Sequence, residues 1–482
     1  MPGKSSNLIG REPEREVLRK ARQSGEAELV AVYGRRRVGK TFLVREYFQD
    51  CLCFELAGVR GASLPEQLQN FAGALQQASR SGIRPAPPST WQEAFGQLVV
   101  FLSTLSTDRK RVVFLDEIPW LSSARSGFLP ALDHFWNSWA SRQGHMIVVI
   151  CGSAASWMIH KIIQHRGGLH NRVTRRIRLE PFTLGETSRY LESRGIRLGH
   201  RQILELYLVL GGVAHYLKQI EAGRSAAQTI DDLCFSPTGV LRDEFGPLFA
   251  SLFEHSERHV RAIRTLNRKR QGLTRNDILR AAAMPTGGGT TTILDELVES
   301  GFVLKTLPFG KSRKESLYRL CDEYALFYLN WIEKHRSTGP DVWLKKQAGP
   351  SWKAWSGYAF ENVCLKHSRQ LKQALGIAGV ETTESAWTHR SMGDSPPGAQ
   401  IDLLIDRRDD SINLCEMKFS PTEFVIDKRY AEELRRKRDV FREVTKTRKT
   451  LFLTMVTVFG VRDNEYRREL IDHCISIDAL FE

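Results

Sequence analysis

An eight-residue loop constrains this chain more than any other feature. Residues 34–41 read Gly-Arg-Arg-Arg-Val-Gly-Lys-Thr, and they stand between an apolar run at 29–33 and a helical pattern. The loop matches the phosphate-binding pattern GxxxxGK[ST], and a strand followed by a helix is the context that this pattern requires. The alternative is a basic turn that binds no ligand, and the flanking strand and helix weigh against it.

The chemistry of phosphate binding explains the spacing of the loop. Gly34 and Gly39 let the backbone curl so that successive N–H groups face the phosphates, and the following helix adds its dipole. We expect Lys40 to reach the β- and γ-phosphates and the Thr41 hydroxyl to bind Mg²⁺. The residues predicted to bind nucleotide in this loop are Gly34, Arg35, Arg36, Arg37, Val38, Gly39, Lys40, Thr41 and Phe42.

Strand-like and helix-like patterns alternate after the loop. Apolar runs at 51–56, 112–115 and 147–151 have the character of buried strands, and helical patterns separate them. This alternation predicts an α/β fold with a parallel sheet covered by helices on both faces. We expect an ATPase-like core over 1–195, followed by a mostly helical segment over 196–257.

Two carboxylates follow the apolar run at 112–115. Asp116 and Glu117 come about 75 residues after the phosphate loop, at the carboxyl end of a predicted strand beside it. We expect Asp116 to hold Mg²⁺ through water and Glu117 to act as the general base on the attacking water. Ser153 ends another strand, where it would sense the γ-phosphate; a serine of an ordinary turn is the alternative.

Length and charge limit the number of domains and the kind of partner that the chain can have. The 482 residues predict three or four domains, with enough core to need no disulfide or metal for stability. Lys and Arg number 70 against 55 Asp and Glu, and this excess favours an anionic partner such as nucleic acid. The cysteines are scattered and form no CxxC motif, which predicts reduced thiols in a cytoplasmic protein. No apolar run is long enough to span a membrane, so we expect no membrane partner.

The segment 258–335 has a different pattern. A basic helix is followed by Thr274 as a helix N-cap, a glycine-rich turn, a second helix and two short strands around the loop 307–315. Helix, turn, helix and β-wing is the order of a winged helix-turn-helix. Its second helix, near 290–300, is acidic for a helix that reads bases, so packing against protein is the alternative to DNA binding.

The last segment, 342–482, contains a second group of charged residues. Asp402 lies on a predicted strand, and Glu416 and Lys418 share one face of the next strand. Glu361 lies on an upstream helix, and a helix over 428–449 carries ten Lys or Arg against four acids. Such carboxylates suit a divalent metal, Mg²⁺ or Mn²⁺, that activates water for phosphodiester cleavage, with Glu361, Asp402 and Glu416 as ligands. A structural hairpin is the alternative.

Several motifs resemble one known family in combination. The sequences NLIGRE near the start, GRRRVGKT, FLDEIPW, CGSAASWM and GGLHNRVTRRIRLEPFTL look like the archaeal-type P-loop ATPases, a signal-transduction branch related to AAA+ proteins. The resemblance covers residues 1 to about 335. It implies that Ile9, Gly10 and Arg11 lie beside the adenine of ATP, and that GGVAHYL at 211–217 belongs to a helical lid over 196–257. Arg172 lies in a basic segment, 161–178, that has six Lys or Arg and no acid. The resemblance implies that Arg172 is the arginine finger of a neighbouring protomer, in a homo-oligomer; a solvated basic face is the alternative.

The C-terminal segment resembles a second fold. The spacing from Asp402 to Glu416 and Lys418, preceded by a helix with Glu361, is similar to the PD-(D/E)xK nucleases, in particular the domain fused behind such ATPases. The two resemblances imply an ATP-hydrolysing switch coupled to a metal-dependent nuclease that acts on DNA, in defence, repair or mobile-element control. The alternatives are an ATP-driven signalling or scaffold protein whose nuclease-like domain binds without cleaving, and a winged-helix regulator with ATP as effector.

Overall fold

The computed structural model describes residues 8–80, 86–123, 125–163, 169, 171–285, 287–335, 341–347, 349–391 and 397–482. The chain forms two compact units, one ending at Pro181 and the other beginning at Phe182. Each unit is therefore described by itself, and the finer division into four domains stays a prediction. Among the described residues, no helix has both the length and the apolar character that crossing a membrane requires.

The first unit is built on a parallel sheet. Its strands are Glu28–Tyr33 (β1), Leu52–Ala57 (β2), Arg111–Asp116 (β3), Met146–Gly152 (β4) and Arg175–Arg178 (β5). They lie in the order β2-β3-β4-β1-β5, and every pairing is parallel. The α/β class and the parallel sheet predicted from the sequence are confirmed.

Helices cover both faces of this sheet. They are Glu12–Gln23 (α1), Lys40–Phe48 (α2), Leu64–Ser79 (α3), Trp91–Ser103 (α4), Ile118–Leu121 (α5), Phe128–Ser138 (α6) and Ala155–Met158 (α7). Successive residues of one strand enter different cores: Leu29 and Ala31 pack into one, whereas Val30 and Val32 pack into the other. Burial on both faces explains why β1 is a continuous apolar run rather than an alternating one.

The second unit begins with helices and a small sheet. The helices are Leu184–Ser193 (α8), His200–Leu210 (α9), Ala214–Leu217 (α10), Ala226–Cys234 (α11), Phe245–Leu252 (α12), Ser256–Asn267 (α13), Arg275–Ala281 (α14), Gly288–Glu299 (α15) and Glu323–Phe327 (α16). The strands Leu273–Thr274 (β6), Val303–Thr306 (β7) and Leu317–Leu320 (β8) pair antiparallel in the order β6-β8-β7. We call the elements from α13 to β8 the middle module.

The rest of the second unit, which we call the C-terminal module, contains a mixed sheet. Its helices are Val342–Lys346 (α17), Pro350–Lys366 (α18), Ser368–Ala374 (α19), Lys428–Thr445 (α20) and Glu465–Leu470 (α21). Its strands are Thr382–His389 (β9), Ala399–Arg407 (β10), Ser411–Lys418 (β11), Thr450–Thr457 (β12) and His473–Ser476 (β13). The order is β13-β12-β11-β10-β9; β9, β10 and β11 pair antiparallel, and β11, β12 and β13 pair parallel.

One hydrophobic core runs through the second unit. It extends from Phe182 to Leu480 and includes residues of the helices, the middle module and the C-terminal module. Trp331, Trp343, Trp352 and Trp355 form an aromatic cluster within it, with ring centroids 5.3 Å apart for Trp331 and Trp343 and 4.8 Å apart for Trp343 and Trp352. Shared apolar burial therefore stabilises these parts together.

Candidate functional site

The phosphate loop lies between β1 and α2, as the motif predicts. Gly34 has φ of 146°, and a Cβ there would lie 2.3 Å from the carbonyl oxygen of Leu179. Gly39 has φ of 98° and immediately precedes α2. Both positions require glycine because other residues rarely adopt a positive φ. At Gly34 the contact with the backbone of Leu179 also leaves no room for a side chain.

Lys40 is buried at the start of α2, with 5% of its surface exposed. Its ammonium donates hydrogen bonds to the carbonyl oxygens of Gly34 and Arg35, at 3.0 and 2.9 Å, and to the hydroxyl of Ser153, at 3.0 Å. The structure thus brings the predicted γ-phosphate sensor on the loop after β4 against the lysine of the phosphate loop.

Thr41 and Asp116 meet at the neighbouring strand end. The hydroxyl of Thr41 donates a hydrogen bond of 2.6 Å to the buried carboxylate of Asp116, which ends β3. A hydroxyl and a carboxylate in contact are the oxygen ligands through which a phosphate-loop protein holds Mg²⁺. The residues present here fit a magnesium–nucleotide.

Glu117 follows Asp116 in an unusual backbone conformation. Its φ is 47°, in the left-handed region that few residues other than glycine adopt. Its carboxylate accepts a hydrogen bond of 3.0 Å from the backbone N–H of Ser153 and a second one from the hydroxyl of Ser153. Ser153 therefore connects Lys40 with the carboxylate predicted to act as the general base.

The residues implied beside the adenine lie at the start of the first unit. Ile9 and Gly10 precede Arg11, which is buried and caps α1 with φ of 62°. The guanidinium of Arg11 donates to the carbonyl oxygens of Glu180, at 2.7 Å, and Val38, at 3.3 Å. The side chain of Arg11 thus contacts the backbone of the phosphate loop at Val38.

The remaining basic residues take different positions. Arg35 is buried, Arg37 has φ of 72°, the guanidinium of Arg36 lies 5.9 Å from the ring of Trp120, and Phe42 is half-exposed on α2. Arg172 lies exposed in a turn before β5. In the part of the chain that the structure describes, its side chain makes no hydrogen bond or ion pair. Part of the basic segment 161–178, namely 164–168 and 170, lies outside the described residues.

The predicted C-terminal residues come together on the hairpin β10–β11. The pairing of Leu403 with Cys415, continued by one residue, places Asp402 opposite Glu416. The carboxylate of Asp402 accepts a hydrogen bond of 3.0 Å from the backbone N–H of Met417. Lys418, at the end of β11, has its ammonium 3.7 Å from the carboxylate of Glu416.

Glu416 is the most buried of these side chains, with 2% of its surface exposed. The ammonium of Lys437, on α20, donates to both carboxylate oxygens at 2.8 and 2.7 Å, and the hydroxyl of Tyr430 donates at 3.3 Å. Burial, followed by the negative charge of Asp402, raises the pKa of Glu416 to about 7, against the opposing charge of Lys437.

Glu361, on α18, is paired with a cation of the middle module. The guanidinium of Arg319, on β8, donates to its carboxylate at 2.8 Å and lies 4.6 Å from the ring of Tyr358. Burial and then the negative charge of Asp402 raise the pKa of Glu361, while Arg319 opposes this shift. A cavity of about 420 Å³ exposes Glu361, Arg319 and Lys418 together.

These pairings bear on the metal site predicted at Glu361, Asp402 and Glu416. Within the described ranges, no three carboxylate, imidazole or thiol groups are placed to hold one metal ion together. Two of the three carboxylates instead bind Arg319 and Lys437. As arranged, the group accommodates cationic side chains and does not fit a divalent metal.

Sequence reasoning missed Arg319 and Lys437. Arg319 belongs to a short strand 42 residues before its partner, and no local pattern marks it. Lys437 does carry a signal: it interrupts the buried stripe of α20 between Leu434 and Phe441, where helical spacing predicts an apolar residue. A lysine on such a stripe indicates a buried carboxylate partner.

Comparison with known proteins gives distant similarities. No family model matches the chain. An uncharacterized protein of Methanocaldococcus jannaschii is 19% identical over 409 residues, covering 82% of this chain and 84% of the relative.

Similar solved structures include the Walker-type ATPase of Pyrococcus abyssi, at 16% identity and a TM-score of 0.49, covering 68% of this chain and 97% of that one. The ORC2 protein of Aeropyrum pernix, in ADPNP–ADP complexes, is 15% identical with a TM-score of 0.42 and covers 72% and 98%. The STAND protein with a tetratricopeptide repeat sensor of Pyrococcus horikoshii is 14% identical with a TM-score of 0.31 and covers 78% and 53%. All three TM-scores lie below 0.5.

Proposed function

We propose that the first unit binds and hydrolyses ATP, and that the chain uses this as a switch. The observation that carries the proposal is the contact of 2.6 Å between Thr41 and Asp116 beside a complete phosphate loop. Mg²⁺ bound by these two residues supplies positive charge to the β- and γ-phosphates. Lys40 adds a second positive charge, and Glu117 accepts the proton of the attacking water.

The contact that differs between the ATP-bound and the ADP-bound state is assigned to Ser153. Its hydroxyl lies between the ammonium of Lys40 and the carboxylate of Glu117. A γ-phosphate that binds Lys40 competes for this network, whereas a nucleoside diphosphate lacks the group that does so. Binding of ATP and of ADP would therefore leave Glu117 with different partners.

The second unit is proposed to handle nucleic acid. The middle module has the element order of a winged helix-turn-helix, with Thr274 accepting from the N–H of Asp277 as the predicted N-cap of α14. The C-terminal module carries Asp402, Glu416 and Lys418 on one hairpin of a mixed sheet. Because Arg319 and Lys437 neutralise two carboxylates, the arrangement supports binding of nucleic acid without cleavage best.

A metal-dependent DNA nuclease is the second candidate. It is favoured by the proximity of Asp402 to both Glu361 and Glu416: burial, and after it the negative charge of Asp402, raises the pKa of each of these two carboxyl groups. Cleavage would require that the two cationic side chains leave these carboxylates. Loss of activity with EDTA and in an Asp402→Ala/Glu416→Ala variant would establish cleavage, whereas binding that persists in EDTA belongs to the first candidate.

The ATPase is tested with two variants and a control. Lys40→Ala should abolish hydrolysis and weaken nucleotide binding, because the phosphates lose a charge. Glu117→Gln should retain ATP binding and lose turnover, because only the base is removed. Lys20→Ala, at an exposed position on α1, is the control and should hydrolyse ATP like the wild type. Normal turnover by Glu117→Gln would show that this carboxylate is wrongly assigned.

A further inference from the structure

A basic cleft lies between the middle module and the C-terminal module. Its main cavity has a volume of about 1470 Å³. The smaller cavity that exposes Glu361 and Lys418 shares Arg270 and Gln271 with it, so the cleft leads to the carboxylates. The side-chain amides of Gln271 and Gln400 join the two modules with a hydrogen bond of 2.5 Å.

Cations dominate the lining of the main cavity. Asp277 is the one acidic residue among the described residues that line it, and this carboxylate already pairs with Arg280 at 2.5 Å. The cations of the lining are Arg268, Lys269, Arg270, Arg280, Lys311 and Arg390. Repulsion between these cations is unfavourable when no anion is bound. It therefore favours binding of a ligand that carries several negative charges.

Three of these cations make no ion pair with any residue that the structure describes. Arg268, Lys269 and Arg390 are exposed, and in the described part of the chain their side chains make no hydrogen bond or ion pair. Two of them follow α13 in the middle module, and Arg390 follows β9 in the C-terminal module. Unpaired cations that face one space from both sides are arranged to contact successive phosphates of one strand.

The helix that a winged helix would place in a DNA groove has the opposite character. The described helix α15 contains no Lys or Arg, and it contains Asp295, Glu296 and Glu299. Glu296 is also engaged, because its carboxylate lies 2.7 Å from the ring nitrogen of His259. A phosphate backbone is repelled by α15 and attracted by the cleft.

We propose that the basic cleft binds nucleic acid through its phosphate backbone and directs one strand toward Asp402, Glu416 and Lys418. The proposal rests on the proposed nucleic-acid function of the second unit and names the surface that performs it. Phosphate contacts of this kind position a strand without reading its sequence. Lys353, which lines the inner cavity, continues the positive path to the carboxylates.

The experiment compares two charge-matched triple variants of the full chain. The cleft variant is Arg268→Ala/Lys269→Ala/Arg390→Ala. The control is Arg197→Ala/Lys345→Ala/Arg369→Ala, which removes three exposed cations that do not line these cavities. Fluorescence anisotropy measures binding of a single-stranded and a duplex oligonucleotide in EDTA over a series of salt concentrations, so that cleavage does not interfere.

The cleft variant should lose affinity by about tenfold or more at 0.1 M salt, and the control should bind like the wild type. If the three cations contact three phosphates, the slope of log affinity against log salt becomes shallower by about 2.7 for duplex and about 2.1 for single-stranded nucleic acid. The oligonucleotide, single-stranded or duplex, whose affinity falls more in the cleft variant is the form of nucleic acid that the cleft prefers. ATP hydrolysis should be unchanged in both variants.

Each outcome separates the cleft from the proposed function. Wild-type binding that the cleft variant retains overturns the cleft and leaves the nucleic-acid function standing. Wild-type protein that binds neither oligonucleotide overturns both. Loss of binding in the cleft variant alone supports the cleft. A separate assay with Mn²⁺ in which the wild type cuts neither oligonucleotide would remove only the nuclease candidate.

Discussion

Arg319 of the middle module and Glu361 of the C-terminal module form a mostly buried ion pair, with 2.8 Å between the guanidinium nitrogen and the carboxylate oxygen. The pair joins β8 to α18 across the two modules and lies at the inner end of the basic cleft. A movement of the small sheet β6-β8-β7 would therefore break this contact and change the surroundings of Glu361.

Removing Arg319 should destabilise the second unit. Arg319→Ala leaves the Glu361 carboxylate without its cation, and breaking a buried pair from one side costs about 3 kcal/mol. Urea unfolding followed by tryptophan fluorescence measures the change. The double variant Arg319→Ala/Glu361→Ala should lose less than the sum of the two single changes, and strict additivity would argue against a direct interaction.

Ser153 should affect turnover more than nucleotide binding. Ser153→Ala removes the hydroxyl between Lys40 and Glu117 but keeps both charges. We expect ATP hydrolysis to fall by about 10- to 100-fold, since one hydrogen bond to charged groups contributes about 1.5–3 kcal/mol. Steady-state hydrolysis and nucleotide titration measure the two effects. Ser138→Ala, at an exposed helix position, is the control and should match the wild type.

Gly34→Ala should abolish nucleotide binding. The new Cβ would lie 2.3 Å from the Leu179 carbonyl oxygen, so the loop must move away from β5 and its N–H groups no longer converge. Gly96→Ala is the matched control, because Gly96 lies within α4 and has no atom within 4 Å of a new Cβ. The control should be neutral or stabilising by up to about 1 kcal/mol. Titration with a fluorescent nucleotide distinguishes the two; equal affinity would contradict the prediction.

Stability should fall as the pH rises toward neutrality because of Glu416. Its folded-state pKa of about 7 lies above the ordinary value of 4.5, so between these values the folded chain holds a proton that the unfolded chain has released. This carboxyl therefore contributes most stability below about pH 4.5, and the contribution is lost as pH rises through 7. Urea unfolding of the wild type and Glu416→Gln over pH 5–8 should show a shallower slope in the variant.

Lys437 modulates that titration. Burial alone would lower the pKa of Lys437, but the charge and hydrogen bonds of Glu416 raise it, so the pair favours the charged form of Lys437. Lys437 in turn lowers the pKa of Glu416, although burial and Asp402 keep that pKa raised. Lys437→Met should therefore move the Glu416 midpoint above that of the wild type, measured by the carbon-13 shift of its carboxyl group. A midpoint that stays fixed or moves down would show that burial alone governs Glu416.

Arg172 should act on the nucleotide of a neighbouring protomer. It is exposed in a turn before β5, and in the described part of the chain its side chain makes no hydrogen bond or ion pair. Mixing Arg172→Ala with Lys40→Ala protein should restore part of the ATPase activity, because one competent site assembles from two defective chains. Hydrolysis by a strictly monomeric wild type at the working concentration would exclude action in trans.

The sequence predicted the parts of the molecule that local patterns specify. The phosphate loop is contiguous, and its glycines, Lys40 and Thr41 lie as the motif requires. The hairpin that aligns Asp402 with Glu416 follows from two apolar runs around a short polar turn. Contacts between distant segments were not predictable, because nothing near Glu361 indicates that a residue of β8 neutralises it.

The basic helix α20 shows why composition alone misleads. Its excess of Lys and Arg is typical of a surface that faces phosphates, although many basic helices are only solvated. Lys437 nevertheless points inward and binds Glu416. Charge counting treats all cations of a helix as equivalent, whereas the helical period separates Lys437 from its exposed neighbours.

The aromatic cluster sets a limit on how this protein can exchange parts during evolution. Phe327 and Trp331 precede the C-terminal module, yet their rings lie 5.0 and 5.3 Å from the ring of Trp343, and Phe327 lies 5.5 Å from Trp355. A recombination event that transferred only the residues from Val342 onward would expose these tryptophans. Phe235, just after α11, also stacks on Trp343, with ring centroids 5.9 Å apart. A host that acquires this module must therefore receive α16 and the segment around Phe235 as well.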